Sequence, residues 1–239
     1  MKNGLLTADI LAVGLVVFAG TLTVAGEALR QPPRDIVLAV RAAAETTAQI
    51  QFPYKMAEMD LTVERLAVYE GPMIEQESDE PSANVLSLIL CNGDDREIRS
   101  VQVTLKSSDS IYRFEGTHIP GQNRVLLMEQ NGAFWKNETY TACNAVVEYM
   151  EETGLSQEEI AVTEVGMGEL SVTNLTENCL RNVRIFHKNC LADGDICIGG
   201  ITYETPVGEL KPGQTVIITP ERYASGYSKV VRIESAQEE

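Results

Sequence analysis

Two stretches of this chain repeat the same order of turns and apolar alternations, and that order leaves few folds open. In the first, Leu86, Leu88 and Leu90 alternate into Asn92, and nine residues later Val101 opens a Val-x-Val segment. In the second, Leu170 and Val172 lead into Asn174, and nine residues later Val183 opens Val-x-Ile. Further along, Ile119-Pro120-Gly121-Gln122 precedes Val125-Leu126-Leu127, as Leu210-Lys211-Pro212-Gly213-Gln214 precedes Val216-Ile217-Ile218. Asn tolerates left-handed backbone and reverses the chain. A Pro-Gly pair fits the central positions of a type II turn. Apolar alternation buries one face of a sheet against another sheet.

The strands read from this texture are 85–90, 100–105, 124–129, 142–149, 183–187, 197–203, 215–219 and 229–233. Many short strands at turn-marked intervals point to a mainly β protein of two sandwich modules, 58–152 and 153–239. Ser156-Gln157-Glu158-Glu159 reads as a capping-box start between them. Ahead of the modules, Pro32-Pro33 punctuates the chain, and Asp35 is placed to cap a helix from Ile36 to about Gln49. Ala42-Ala43-Ala44 favours that helix. Residues 31–57 are therefore expected to be a helical stalk.

Ile10 to Gly26 carries no charge over 17 residues, at the short end of a bilayer-spanning helix. Residues 1–30 are read as a membrane anchor or signal segment, with everything after about residue 30 extracytoplasmic. Val24-Ala25-Gly26 offers small residues for a cleaved signal peptide, and a buried soluble helix is the remaining alternative. Lys2 precedes the segment and Arg30 and Arg34 follow it, so charge does not fix the orientation.

The 35 acidic residues outnumber the 19 basic ones, for a formal charge of −16. Nucleic acid and anionic headgroups repel such a surface, which excludes a nucleic-acid partner. The five cysteines form no CxxC pair and there are only two histidines, His118 and His187, so no zinc cluster is expected. No nucleophile elbow, P-loop or HExxH is present, and no cofactor is expected. Gly93-Asp94-Asp95 and Asp193-Gly194-Asp195 read as acidic turns rather than calcium loops.

The order of Asn turn, Val-x-Val strand and Pro-Gly turn resembles the FxLYD-type and related immunoglobulin-like repeats of bacterial surface proteins. The resemblance covers 85–103 with 119–128, and 170–186 with 210–218; the aromatic-x-Leu-Tyr-Asp signature is missing, and the matching segments read Val103-Thr104-Leu105-Lys106 and Arg184-Ile185-Phe186-His187. It implies a surface adhesion or scaffold role. Cys91 and Cys143, 52 residues apart on expected strands, resemble the inter-sheet disulfide of immunoglobulin domains. Strand phase opposes that pairing, because Cys91 does not share the face of Leu86, Leu88 and Leu90. Cys190 and Cys197 flank a short acidic segment and are candidates for a cross-hairpin bond. At the N-terminus, Lys2-Asn3-Gly4 followed by Asp9 resembles the leader of type IV prepilins, with Gly4 as the peptidase site and Asp9 as the registering acid.

The expectation is a membrane-anchored, non-enzymatic surface protein with a structural, adhesion or assembly role, partnered by the membrane and by proteins or further copies of itself. The alternatives are a minor pilin-like subunit and a ligand-sensing component.

Overall fold

A computed structural model describes residues 39–45, 49–72, 81–151, 154–191 and 196–236. The anchor segment, Gly4 and Asp9 lie outside these residues. Among the described residues, no helix is long and apolar enough to cross a membrane.

The strands are β1 (Ala39–Glu45), β2 (Tyr54–Lys55), β3 (Leu61–Pro72), β4 (Pro81–Asn92), β5 (Ile98–Ser107), β6 (Ile111–Ile119), β7 (Asn123–Met128) and β8 (Tyr140–Tyr149), then β9 (Ile160–Gly166), β10 (Glu169–Asn174), β11 (Leu180–Asn189), β12 (Cys197–Ile198), β13 (Tyr203–Leu210), β14 (Thr215–Ile218) and β15 (Ser228–Ala236). They build four sheets: β1-β8-β5-β6, β12-β7-β4-β3-β2, β14-β10-β9 and β13-β11-β15. The first two share one core, in which Leu61, Val63, Leu86, Leu88 and Leu90 meet Val101, Val103, Phe114, Ala145 and Val147. The last two share another, in which Ile160 and Val172 meet Val183, Ile185 and Leu210. The protein is thus mainly β, with sheets packed face to face in two sandwiches.

The two sandwiches repeat one plan. In the first, β4 lies between β3 and β7, and β5 lies between β6 and β8; in the second, β10 lies between β9 and β14, and β11 between β13 and β15. The repeated asparagines explain the repeated turns. Asn92 Nδ2 donates to the carbonyls of Arg96 (2.9 Å) and Pro120 (3.1 Å), and its Oδ1 accepts the Asp94 N–H. Asn174 Nδ2 donates to the carbonyls of Asn178 (2.8 Å) and Leu210 (2.9 Å), and its Oδ1 accepts the Thr176 N–H. Each buried amide therefore ties its own turn to the distant Pro-Gly turn.

The Pro-Gly turns differ by one residue. In the second sandwich Gly213 takes the left-handed position (φ 70°), as a type II turn requires. In the first, Gln122 takes it (φ 56°). Gly121 is needed there for closeness, since a Cβ on it would sit 2.2 Å from the Asp95 carbonyl oxygen.

Three expectations are corrected. Within the expected stalk, the described residues Ala39–Glu45 form not a helix but a strand antiparallel to β8, with Ala42 opposite Ala145, and Ile50 and Met56 are buried in the first core. The helix propensity of three alanines is worth a few tenths of a kcal/mol per residue, and the unpaired edge of β8 outbids it. Only half of the capping box forms: Ser156 N–H and Oγ both donate to Glu159 Oε2, while the Glu159 N–H donates to the Ser156 carbonyl, and the single turn opens into β9 rather than a helix. The expected strand 197–203 is two elements, β12 and β13, belonging to different sandwiches.

Candidate functional site

Among the described residues, the buried His187, Lys188 and Arg232 gather where the two sandwiches meet. This junction is built by β11 and the segment that follows. In the middle of β11 the buried Val183 and Ile185 flank the half-buried Arg184, and the register against β15 shifts between Phe186 and His187. Beside that shift four consecutive residues, Ile185, Phe186, His187 and Lys188, are all buried, so both faces of β11 are covered at this end. Lys188 Nζ donates to the carbonyls of Gly199 (3.3 Å) and Ile201 (2.9 Å), holding the segment after β12 against its own strand.

That segment leaves the second sandwich and joins the first. β12 pairs in parallel with β7, Cys197 opposite Val125 and Ile198 opposite Leu126, and the Gly199 N–H donates to the Leu126 carbonyl. Ile196 and Ile198 cover a separate apolar cluster of Tyr69, Val85, Ile89, Leu126 and Met128. Thr117 at the end of β6 donates its hydroxyl to the Gly200 carbonyl and lies 2.9 Å from the Thr202 hydroxyl.

Charged groups complete the junction. Arg232 of β15 pairs with Glu97 of the first sandwich at 2.8 Å and with Glu234 at 2.7 Å. Glu234 in turn pairs with Arg184 at 2.7 Å, and Arg184 with Glu204 at 3.2 Å. Burial pushes the Glu97 carboxyl above the usual range, against the pull of the Arg232 guanidinium. His118 has left-handed backbone (φ 47°) and stacks its ring on Phe186 at 4.8 Å. His187 lies between the rings of Tyr203 and Tyr223, each 5.2 Å away. Burial lowers both imidazoles to about 4, with Lys188 and Arg232 adding to the effect at His118. Both rings are therefore neutral at pH 7 and serve as packing surfaces.

The cysteines separate into two outcomes. Cys91 lies beside Arg124 and Glu64, whereas Cys143 is buried in the first core, where desolvation pushes its thiol up to about 12. The structure does not bring these two together, in keeping with strand phase. Cys190 and Cys197 do meet, with Sγ atoms 3.4 Å apart. The Cys190 thiol hydrogen bond lowers Cys197 below the usual thiol range, against burial and with help from Lys188 and Lys229.

Among the described residues, no group of three or more His, Cys, Asp or Glu side chains is placed to hold a metal ion. Asp94 is engaged by Arg96, whose Nη2 lies 2.7 Å away. Asp193-Gly194-Asp195 lies outside the described residues.

Sequence reading did not single out Glu97, Thr117, Lys188 or Arg232. The one available signal was the run Phe186-His187-Lys188, which breaks alternation beside the register shift. No protein-family model matches the chain, and no curated protein matches it.

Proposed function

We propose that this chain is a non-enzymatic structural subunit: a rigid tandem of immunoglobulin-like sandwiches, held to a membrane by its N-terminal segment and displayed outside the cytoplasm for adhesion or assembly. The observation that carries the reading is the use made of the buried polar side chains. Asn92 and Asn174 lock turns, and Glu97, Lys188 and Arg232 fasten one sandwich to the other. Buried polar groups so committed to backbone and ion-pair partners stiffen a framework.

The immunoglobulin-like assignment is supported by strand order. The first, second and fifth strands of the repeat share one sheet, and the third, fourth and sixth share the other. The tether is supported by the uncharged run Ile10–Gly26. Surface labelling tests the display: a membrane-impermeant amine reagent applied to intact cells labels Lys55, Lys136 or Lys211 if the reading holds. Labelling only after lysis overturns it.

A minor pilin-like subunit is the second reading, favoured by Gly4 and Asp9. Mass spectrometry of the assembled protein separates the two. A mature N-terminus at Leu5 selects the pilin-like reading, and retention of residues 1–4 excludes it.

A further inference from the structure

The hairpin that joins the two sandwiches is held to its acceptor strand by very little backbone. The ladder of β12 on β7 is two residues long and parallel, a length that is marginal without other support. Immediately beside it stand the two cysteines. Cys190 and Cys197 face each other across an isolated antiparallel bridge. The Leu191 N–H donates to the Ile196 carbonyl, while the Cys190 N–H turns away to the Tyr227 carbonyl. The cysteines therefore occupy a non-hydrogen-bonded pair, the site where opposed side chains approach most closely. Their sulfurs, 3.4 Å apart, need to close by little more than about 1 Å to reach the roughly 2.05 Å of a disulfide. Both residues are buried in the core of the first sandwich although they are carried by the second.

We propose that Cys190 and Cys197 form a reversible disulfide that clamps the connecting hairpin, and so fastens the second sandwich to the first in response to a thiol–disulfide oxidant. The step balances with a small-molecule disulfide as oxidant. The Cys197 thiolate attacks one sulfur of the oxidant and expels the other as a thiolate, leaving a mixed disulfide on Cys197. The Cys190 thiol gives its proton to that released thiolate and attacks Cys197 Sγ, expelling a second thiolate that takes a proton from water. Two protein thiols are oxidised to one disulfide, and the oxidant is reduced to two thiols. Lys188 and Lys229 act on both sulfurs and favour the thiolate that starts the exchange. The cross-link closes a short loop between residues 190 and 197, so the unfolded and detached hairpins lose freedom that the docked hairpin never had.

The proposal rests on the junction and not on the membrane tether, so either can fail alone. The test uses the full chain, reduced and then held in oxidised glutathione. Peptide mapping without reduction should recover a 190–197 cross-link, with Cys91, Cys143 and Cys179 still alkylated after unfolding. Exchange of the Gly199 amide, which donates to the Leu126 carbonyl, should slow by about tenfold or more, and the melting midpoint should rise by about 5 °C. Reductant should reverse both. Cys190→Ser and Cys197→Ser should abolish the response; the wild-type comparison stands even if a variant fails to fold. Another pairing, no cross-link in the folded protein, or a cross-link that leaves Gly199 exchange unchanged would overturn the proposal.

Discussion

Replacing Asn174 by alanine tests whether the two sandwiches act as one body. The Asn174 side chain donates to two carbonyls, at 2.8 and 2.9 Å, and accepts the Thr176 N–H at 2.9 Å and the Thr176 hydroxyl at 2.8 Å. The hydroxyl retains the Asn178 carbonyl as a partner. The substitution therefore strands two backbone groups, the Leu210 carbonyl and the Thr176 N–H, and at roughly 1–2 kcal/mol for each buried group left unpaired, stability should fall by about 2–4 kcal/mol. With a urea slope of about 2–3 kcal/mol/M, the unfolding midpoint should drop by about 1 M. The chain has one tryptophan, Trp135, and it belongs to the first sandwich. Fluorescence therefore reports the first sandwich, while far-ultraviolet circular dichroism reports both. In Asn174→Ala the two traces should shift together, because the Glu97–Arg232 pair and the β12 crossing couple the halves. Asn92→Ala should shift both traces in the same way. A fluorescence midpoint that stays at the wild-type value in Asn174→Ala, while circular dichroism moves, would refute the coupling.

Three further outcomes follow from the junction. Arg232→Leu leaves Glu97 and Glu234 without their shared cation in a buried site and should cost about 3–5 kcal/mol in chemical unfolding; wild-type stability from this pair should vary little with salt. Lys188→Met removes the donor to the Gly199 and Ile201 carbonyls, should cost about 1–3 kcal/mol, and should speed proteolytic nicking between Cys190 and Tyr203. Acid should destabilise the fold. With His187 lowered from 6.5 to about 4, the unfolded chain binds the proton first, so stability is lost as pH falls from 6.5 toward 4, by up to about 3 kcal/mol at this site. A pH series of melting midpoints checks this, and His187→Phe should flatten the slope over that window.

The parts of the fold legible in the sequence are those whose cause is local. Asn92 and Asn174 announce their turns because the side chain that forms each turn stands in it, and Gly213 marks its turn by the backbone it alone adopts freely. The outward phase of Cys91 was likewise readable from Leu86, Leu88 and Leu90. β6 was missed although Tyr112 and Phe114 alternate inward, because Arg113 and Glu115 stand beside them and the next inward position is a glycine, Gly116. β3 was obscured by a register shift after Val63, which interrupts its period. β1 was not legible at all, and β12 only as the start of a strand expected to run on to Tyr203. Each is a strand only because a distant edge, β8 or β7, supplies its partner. The junction was hidden for the same reason: Glu97 and Arg232 are 135 residues apart, and neither carries a sign of the other.

The tether is tested most directly by carbonate extraction of membranes from cells producing the full chain beside a chain lacking residues 1–30. The full chain should remain in the membrane pellet and the shortened one should be released, folded. A full-length chain recovered in the carbonate supernatant would contradict the membrane-anchored reading.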